Sequence, residues 1–223
     1  MYLSYKHFFV VLFFLSRVTN VYGQDTTGLV VFPTFISSYF PSQPVNFANN
    51  NPFLIGGTII SYKKFYGEAR YNYDQVNTFG IYGGRSFIIS KPKMEHVFTP
   101  QLGLMLGDYK GGSFQFYYLG YHKNFDISFL NQYSVPISGQ SQFYYNWSGI
   151  DFTVYKKFRL GVSGQYYSDV QTNNKRLDGG ISAAIKANRT TIQLYWFNFY
   201  DLPNQFISVF LQQKISFKKK KKK

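Results

Sequence analysis

Residues 158–169 of this 223-residue chain, FRLGVSGQYYSD, alternate strictly between two faces. Phe158, Leu160, Val162, Gly164 and Tyr166 share one face; Arg159, Gly161, Ser163, Gln165 and Tyr167 share the other. Successive side chains of a strand point to opposite sides, so this period of two describes a sheet with one apolar and one polar face. The design recurs at 125–135, where Phe125, Ile127, Phe129 and Tyr133 oppose Asp126, Ser128, Gln132 and Ser134. It recurs again at 177–187, where Ile181, Ala183 and Ile185 oppose Asp178, Ser182 and Lys186. After residue 23 no segment keeps a helical period and no apolar run reaches the length of a spanning helix. The chain is built for β-structure.

Between the alternating runs lie two kinds of connection. Tyr62-Lys63-Lys64-Phe65 and Tyr155-Lys156-Lys157-Phe158 are near-identical two-lysine turns flanked by aromatics. Tyr121-His122-Lys123-Asn124-Phe125 and Ala187-Asn188-Arg189-Thr190 are close variants. The remaining connections, such as 41–52, 134–141, 169–176 and 201–205, are mostly longer and rich in Gly, Pro and Asn. The spacing predicts strands near 28–40, 53–62, 65–73, 78–90, 97–108, 113–122, 125–134, 142–155, 158–169, 177–187, 190–200 and 206–217. That is twelve, or ten if the first strand, with Pro33 inside it, and the stretch 85–97 do not form. An even count puts both chain ends and all the short turns at one end of the sheet. Within 142–155 the apolar set changes phase between Trp147 and Ile150, which predicts a β-bulge at Ser148-Gly149.

Composition decides what kind of sheet this is. Aromatics make up 22% of the chain, with 25 Phe, 21 Tyr and 2 Trp. Charged residues are 15%, against about 25% in soluble domains. A soluble sandwich would show a charged outer face, whereas the polar face here is mainly Ser, Gln, Asn and Tyr. In hydrocarbon every backbone N–H and C=O must be paired internally, so a sheet with an apolar outer face must close into a barrel. Aromatics beside the lysine turns then form a girdle at the membrane interface. Cys is absent, which excludes disulfides, thiolate metal sites and a Cys nucleophile.

The ends read differently from the body. Lys6 and the apolar run FFVVLFFL at 8–15 resemble a secretory signal, too short to span, with a cleavage site after Gly23. Residues 218–223 are a run of lysines, read as a solvated tail. The formal charge of +14 largely reflects these ends. Two of the 24 basic residues lie in 1–23 and six in the tail, leaving 16 against 10 acidic residues, an excess of +6. Nothing in the body clusters into a nucleic-acid-binding motif, so no nucleic-acid partner is expected.

The last strand, FISVFLQQKISF at 206–217, places Ile207, Val209, Leu211, Gln213, Ile215 and Phe217 on one face and ends in Phe. It resembles the terminal strand of bacterial outer-membrane proteins, in which a final aromatic is an assembly signal. The lysines after Phe217 depart from that pattern, since the aromatic usually ends the chain. The resemblance implies an all-β, transmembrane, antiparallel up-and-down β-barrel at 24–217 after an N-terminal signal peptide at 1–23. It also implies residence in the bacterial outer membrane, contact with its lipid, and passage through the barrel-assembly machinery with Phe217 as the signal.

Function then belongs to the lumen or the loops. Glu68, Arg70, Asp126, Asp151, Arg159, Asp169, Asp178, Lys186 and Lys214 fall on the inner face. Mixed charges in a barrel of this size either pair into a brace or line a narrow aqueous path. The leading expectation is a small porin-like channel or uptake barrel for small polar solutes. Its rival is a non-conducting anchor or surface-binding barrel acting through its loops. A lipid-modifying hydrolase needs a Ser–His pair, and after residue 23 only His96 and His122 occur, both placed at the short-turn end and neither in a His-x-Ser spacing. No catalytic residue, no metal site and no cofactor is expected.

Overall fold

The computed structural model describes residues 28–39, 53–74, 77–137 and 139–217. The expected signal segment and cleavage site, the connection at 41–52 and the lysine tail lie outside them. Fourteen strand segments run in chain order: β1 (Leu29–Tyr39), β2 (Phe53–Tyr62), β3 (Phe65–Tyr71), β4 (Thr78–Arg85), β5 (Phe87–Ser90), β6 (Met94–Gly107), β7 (Gly111–His122), β8 (Phe125–Pro136), β9 (Phe143–Tyr155), β10 (Phe158–Asp169), β11 (Lys175–Ala187), β12 (Thr190–Phe197), β13 (Phe206–Gln213) and β14 (Ile215–Phe217). β4 and β5 are one strand interrupted at Ser86, since both pair with β6. β13 and β14 are likewise one strand interrupted at Lys214, since both pair with β1. The result is a twelve-stranded antiparallel sheet closed by β1 between β2 and β13–β14. Twelve, not ten, is the count, and both irregular stretches form.

Closure satisfies every strand edge, which is what hydrocarbon demands of a spanning sheet. At the seam Leu29 pairs with Phe217 and Val31 with Ile215. Phe217 faces outward and is 55% exposed. If it is the assembly signal, Phe217→Ala should slow insertion into bilayers, read as the heat-modifiable gel band, whereas deletion of 218–223 should not. The opposite result would show that the lysine segment, not the aromatic, is recognised.

The two faces separate cleanly. One row around the barrel runs Ile127, Ile150, Val162, Ile181, Trp196 and Ile207, each paired with the next across adjacent strands. Ile150, Val162, Ile181 and Trp196 are all at least one-third exposed, whereas their chain neighbours Gly149, Asp151, Ser163 and Ser182 are buried on the inner side. Water could not cover such a belt at reasonable cost; lipid can. On β6, Leu102, Leu104 and Leu106 extend the belt outward.

The expected bulge at Ser148-Gly149 does not occur. β9 alternates without a break, and its register shift falls instead where Phe158 and Arg159 of β10 oppose Tyr155 and Thr153. The apparent phase change has another origin. Toward the long-loop end of β9 the polarity inverts: Phe143, Tyr145 and Trp147 pack inside, and Tyr144, Asn146 and Ser148 face out. The outward polar groups satisfy one another. Tyr144 Oη donates to Asn131 Oδ1, Asn146 Nδ2 to Asn131 Oδ1 (3.0 Å), and Ser148 Oγ to Asn146 Oδ1 (3.2 Å).

Tight turns gather at one end, at 63–64, 156–157 and 188–189. Lys63, Lys156 and Asn188 hold positive φ there (53°, 40° and 50°), as two-residue hairpin turns require. His96 lies within β6 rather than at a turn. Its ring stacks on Tyr118, whose Oη lies 2.9 Å from Nδ1, and on Phe98. Phe116 and Phe98 continue this outward aromatic cluster. His122 stacks on Phe125 and accepts the Asn124 N–H at 3.3 Å.

Candidate functional site

Glu68 and Arg70 sit two apart on β3, so the pleat sends both inward. β3 ends at Tyr71, two residues before the sequence predicts. Asn72 then takes φ of 58° and turns the chain, and residues 72–74 fold into the barrel mouth. Tyr73 and Asp74 are each 2% exposed. Asp74 takes the Arg70 guanidinium in a two-pronged contact, Nη2 to Oδ1 at 2.6 Å and Nε to Oδ2 at 3.0 Å. Arg70 Nη1 reaches Glu68 Oε1 at 3.5 Å, and Tyr66 Oη donates to Glu68 Oε2 at 3.0 Å. The guanidinium lies between two rings, 4.1 Å from the centroid of Tyr73 and 3.9 Å from that of Tyr82. Tyr82 Oη also donates to Asp74 Oδ2 at 2.7 Å.

The cluster crosses the lumen. Gln132 on β8 accepts from Arg70 Nη2 at 3.1 Å and donates to Asp74 Oδ1 at 2.8 Å. Gln115 on β7 donates to Gln132 Oε1 at 3.0 Å, and Gln132 Nε2 also reaches Ser134 Oγ at 3.0 Å. A chord of hydrogen bonds therefore ties β3 to β8 through the interior. Two glycines make room for it. A Cβ on Gly103 would lie 2.1 Å from the Tyr82 ring, and one on Gly80 would lie 2.7 Å from both Asp74 and Tyr82. Above the chord, toward the long loops, inward rings of Tyr109, Phe143, Tyr167, Tyr195, Phe197 and Phe206 pack in edge, stacked and tilted pairs.

The other inner-face charges form separate groups. Arg159 pairs with Asp126 across β10 and β8. Asp151 accepts from Ser182 Oγ at 2.9 Å. Asp178 accepts from Arg176 Nε at 2.8 Å and from Asn198 Nδ2 at 2.6 Å. Asp169 instead caps the connection after β10, its Oδ1 accepting the Gln171 and Thr172 N–H groups at 3.0 and 2.8 Å. Lys186 and Lys214 lie half-buried on the inner face near the short-turn end. The sequence misses Asp74, Tyr73, Tyr82, Gln132 and Arg176 as members of these groups. Only the inward glycines hint at them, as positions where a close ring must pass.

Among the described residues, several inner-wall side chains, Trp147 through its Nε1 among them, hold buried polar atoms without a protein partner. They include both amide atoms of Gln101 and of Gln193, Oε1 of Gln115, Nε2 of Gln165 and Oγ of Ser163. Gln101, Gln115 and Gln193 are at most 2% exposed. Among the described residues no group of three or more His, Asp or Glu side chains could hold a metal ion. Neither His96 nor His122 is hydrogen-bonded to a serine.

No protein-family model matches the chain, and no curated protein is significantly similar to it. Solved structures do resemble it. The KdgM porin superposes with a TM-score of 0.53 at 12% identity, covering 82% of this chain and 98% of that one. KdgM in complex with disordered oligogalacturonate gives 0.53 at 10% identity, covering 83% and 99%. The NanC porin gives 0.51 at 8% identity, covering 85% and 100%. This chain therefore shares the fold of these porin barrels over nearly their whole length.

Proposed function

We propose that this protein is a porin-like channel of a bacterial outer membrane, passing small polar solutes through its lumen and narrowing at the Arg70–Asp74–Gln132 chord. The observation that carries this reading is the set of buried amide atoms on the inner wall that lack a protein partner, both of Gln101 and of Gln193 and one each of Gln115 and Gln165. A buried unpaired polar group costs about 1–3 kcal/mol, a cost that water or solute reaching this wall would offset. The apolar outer belt supports membrane residence, with outer-membrane lipid as its contact and the barrel-assembly machinery as its route. The short lysine turns would then lie on the periplasmic side.

The solute class follows from charge. One neighbour of the same fold carries oligogalacturonate, a polyanion. Here five acidic groups, Glu68, Asp74, Asp126, Asp151 and Asp178, match five basic ones, Arg70, Arg159, Arg176, Lys186 and Lys214, on the inner face. Such a wall offers no continuous basic track, so the reading is of neutral or singly charged solutes. A second reading, a non-conducting anchor acting through its loops, is favoured by the inward aromatic cluster that crowds the long-loop end.

Planar-bilayer recording separates them. The channel reading expects discrete steps of small conductance with a reversal potential near zero in a KCl gradient. A silent bilayer containing verified folded barrel would leave the anchor reading, and strong anion selectivity would overturn the assignment of solute class.

A further inference from the structure

Outside the lumen, at the short-turn end, Lys63, Lys64, Phe65 and Arg85 line one open cavity of about 390 Å³. All four side chains face away from the interior, and Phe65 is 66% exposed. Phe65 and Arg85 are direct cross-strand partners, and the Lys63-Lys64 turn joins β2 to β3 just below them. The Lys64 carbonyl accepts the Ser86 N–H at 2.7 Å. That bond fixes the lysine turn beside the point where β4 gives way to β5. No carboxylate pairs with Lys63, Lys64 or Arg85 among the described residues; Lys63 lies over Tyr62 at 5.4 Å and Arg85 over Phe87 at 5.7 Å. Three uncompensated cations therefore share a cavity whose remaining wall is apolar.

The surface next to this cavity is shaped for a chain. One row of paired residues runs Ile60, Gly67, Gly83, Leu102 across four strands. A Cβ on Gly83 would meet nothing within 4 Å, and one on Gly67 would only touch carbonyl oxygens at 4.0 Å. The two glycines thus floor a shallow trough walled by Ile60, 43% exposed, and Leu102, 70% exposed. The trough leads from the cationic cavity into the apolar belt. A cationic pocket at a membrane interface, continuous with an apolar furrow, matches the two ends of one molecule.

We propose that this face binds an anionic phospholipid, with its phosphate among Lys63, Lys64 and Arg85 and an acyl chain along the Gly67–Gly83 trough. Basic side chains at the membrane surface attract anionic headgroups, and the furrow supplies the apolar contact a free anion lacks. The inference rests on the membrane-barrel reading above, and its test separates the two.

The test uses Phe65→Trp in the full chain, refolded into phosphatidylcholine vesicles that contain a minor fraction of bromine-labelled lipid. Fluorescence of the parent protein, with Trp147 and Trp196, is subtracted as background. Brominated phosphatidylglycerol should quench the introduced indole several-fold more than brominated phosphatidylcholine at the same mole fraction. In the Lys63→Gln/Lys64→Gln/Arg85→Gln background the two lipids should quench equally, with folding checked by heat-modifiability. Inorganic phosphate should leave the preference unchanged. Equal quenching in the cationic protein would overturn the lipid site while leaving the membrane reading intact. Quenching by neither lipid would overturn both at this face. Loss of the preference on adding inorganic phosphate would assign the cations to a soluble anion and overturn the lipid.

Discussion

Val162→Arg is expected to lower the stability of the barrel in bilayers by about 2–4 kcal/mol, and Leu177→Arg by only about 0–1 kcal/mol. Both side chains face outward, and Leu177 is the more exposed of the two, at 75% against 56%. In water neither substitution would matter, because surface changes of this kind stay within about 0.5 kcal/mol. In a membrane the order is set by depth. Val162 lies between Ile150 and Ile181 in the middle of the apolar row, whereas Leu177 sits near the long-loop end of β11. Urea titration of protein folded into vesicles reads the difference, and Val162→Leu serves as the control for packing. Equal costs at the two positions would mean the belt does not face lipid.

The period of two carries most of this fold, and its failures have physical causes. Twelve strands and their inner and outer faces follow from alternation wherever one face is apolar and the other polar, as in β8, β10 and β11. β1 is hard to read because both of its faces are apolar: Val30, Phe32 and Ile36 pack inside while Leu29 and Phe35 face out. Its inner residues meet Ile55 and Ile59 of β2 in a single apolar interior patch. β9 misleads for the opposite reason, since its long-loop half turns aromatics inward and amides outward. Pattern reading takes the apolar face as the outer one, and that assumption fails where a barrel fills its interior with rings.

The inner charges divide along the same line. Parity alone places Glu68, Arg70, Asp126, Asp151 and Asp178 inside, because each alternates with outward apolar neighbours. Which of them meet is a property of register across distant strands. Arg70 and Gln132 are 62 residues apart, and only the closed sheet brings them within 3.1 Å. Asp74 was beyond the reach of alternation altogether, since it lies past the end of its strand and enters the lumen through a turn at Asn72.

Arg70→Gln is expected to be the most damaging single change in the interior and also the one that widens it. Arg70 is 2% exposed and its guanidinium faces two carboxylates. Removing one partner of a buried ion pair leaves the other uncompensated, at a cost of about 3–5 kcal/mol. Asp74→Asn should cost less, since Arg70 keeps Glu68 and the Gln132 carbonyl oxygen as acceptors. The double variant should cost less than the two singles together, because it no longer buries a lone carboxylate at position 74. A coupling of about 1–3 kcal/mol is the expected size for residues in one network. Conductance should move the other way from stability. Losing the guanidinium breaks the two-pronged contact with Asp74 and its own bond to Gln132, which leaves residues 72–74 held only by the Tyr82 and Gln132 bonds to Asp74, so the chord loosens. Single-channel steps of Arg70→Gln and of the double variant should therefore exceed those of the parent. Additive stability costs would mean that Arg70 and Asp74 are not coupled, and unchanged conductance in an intact barrel would mean that the chord does not set the width of the path.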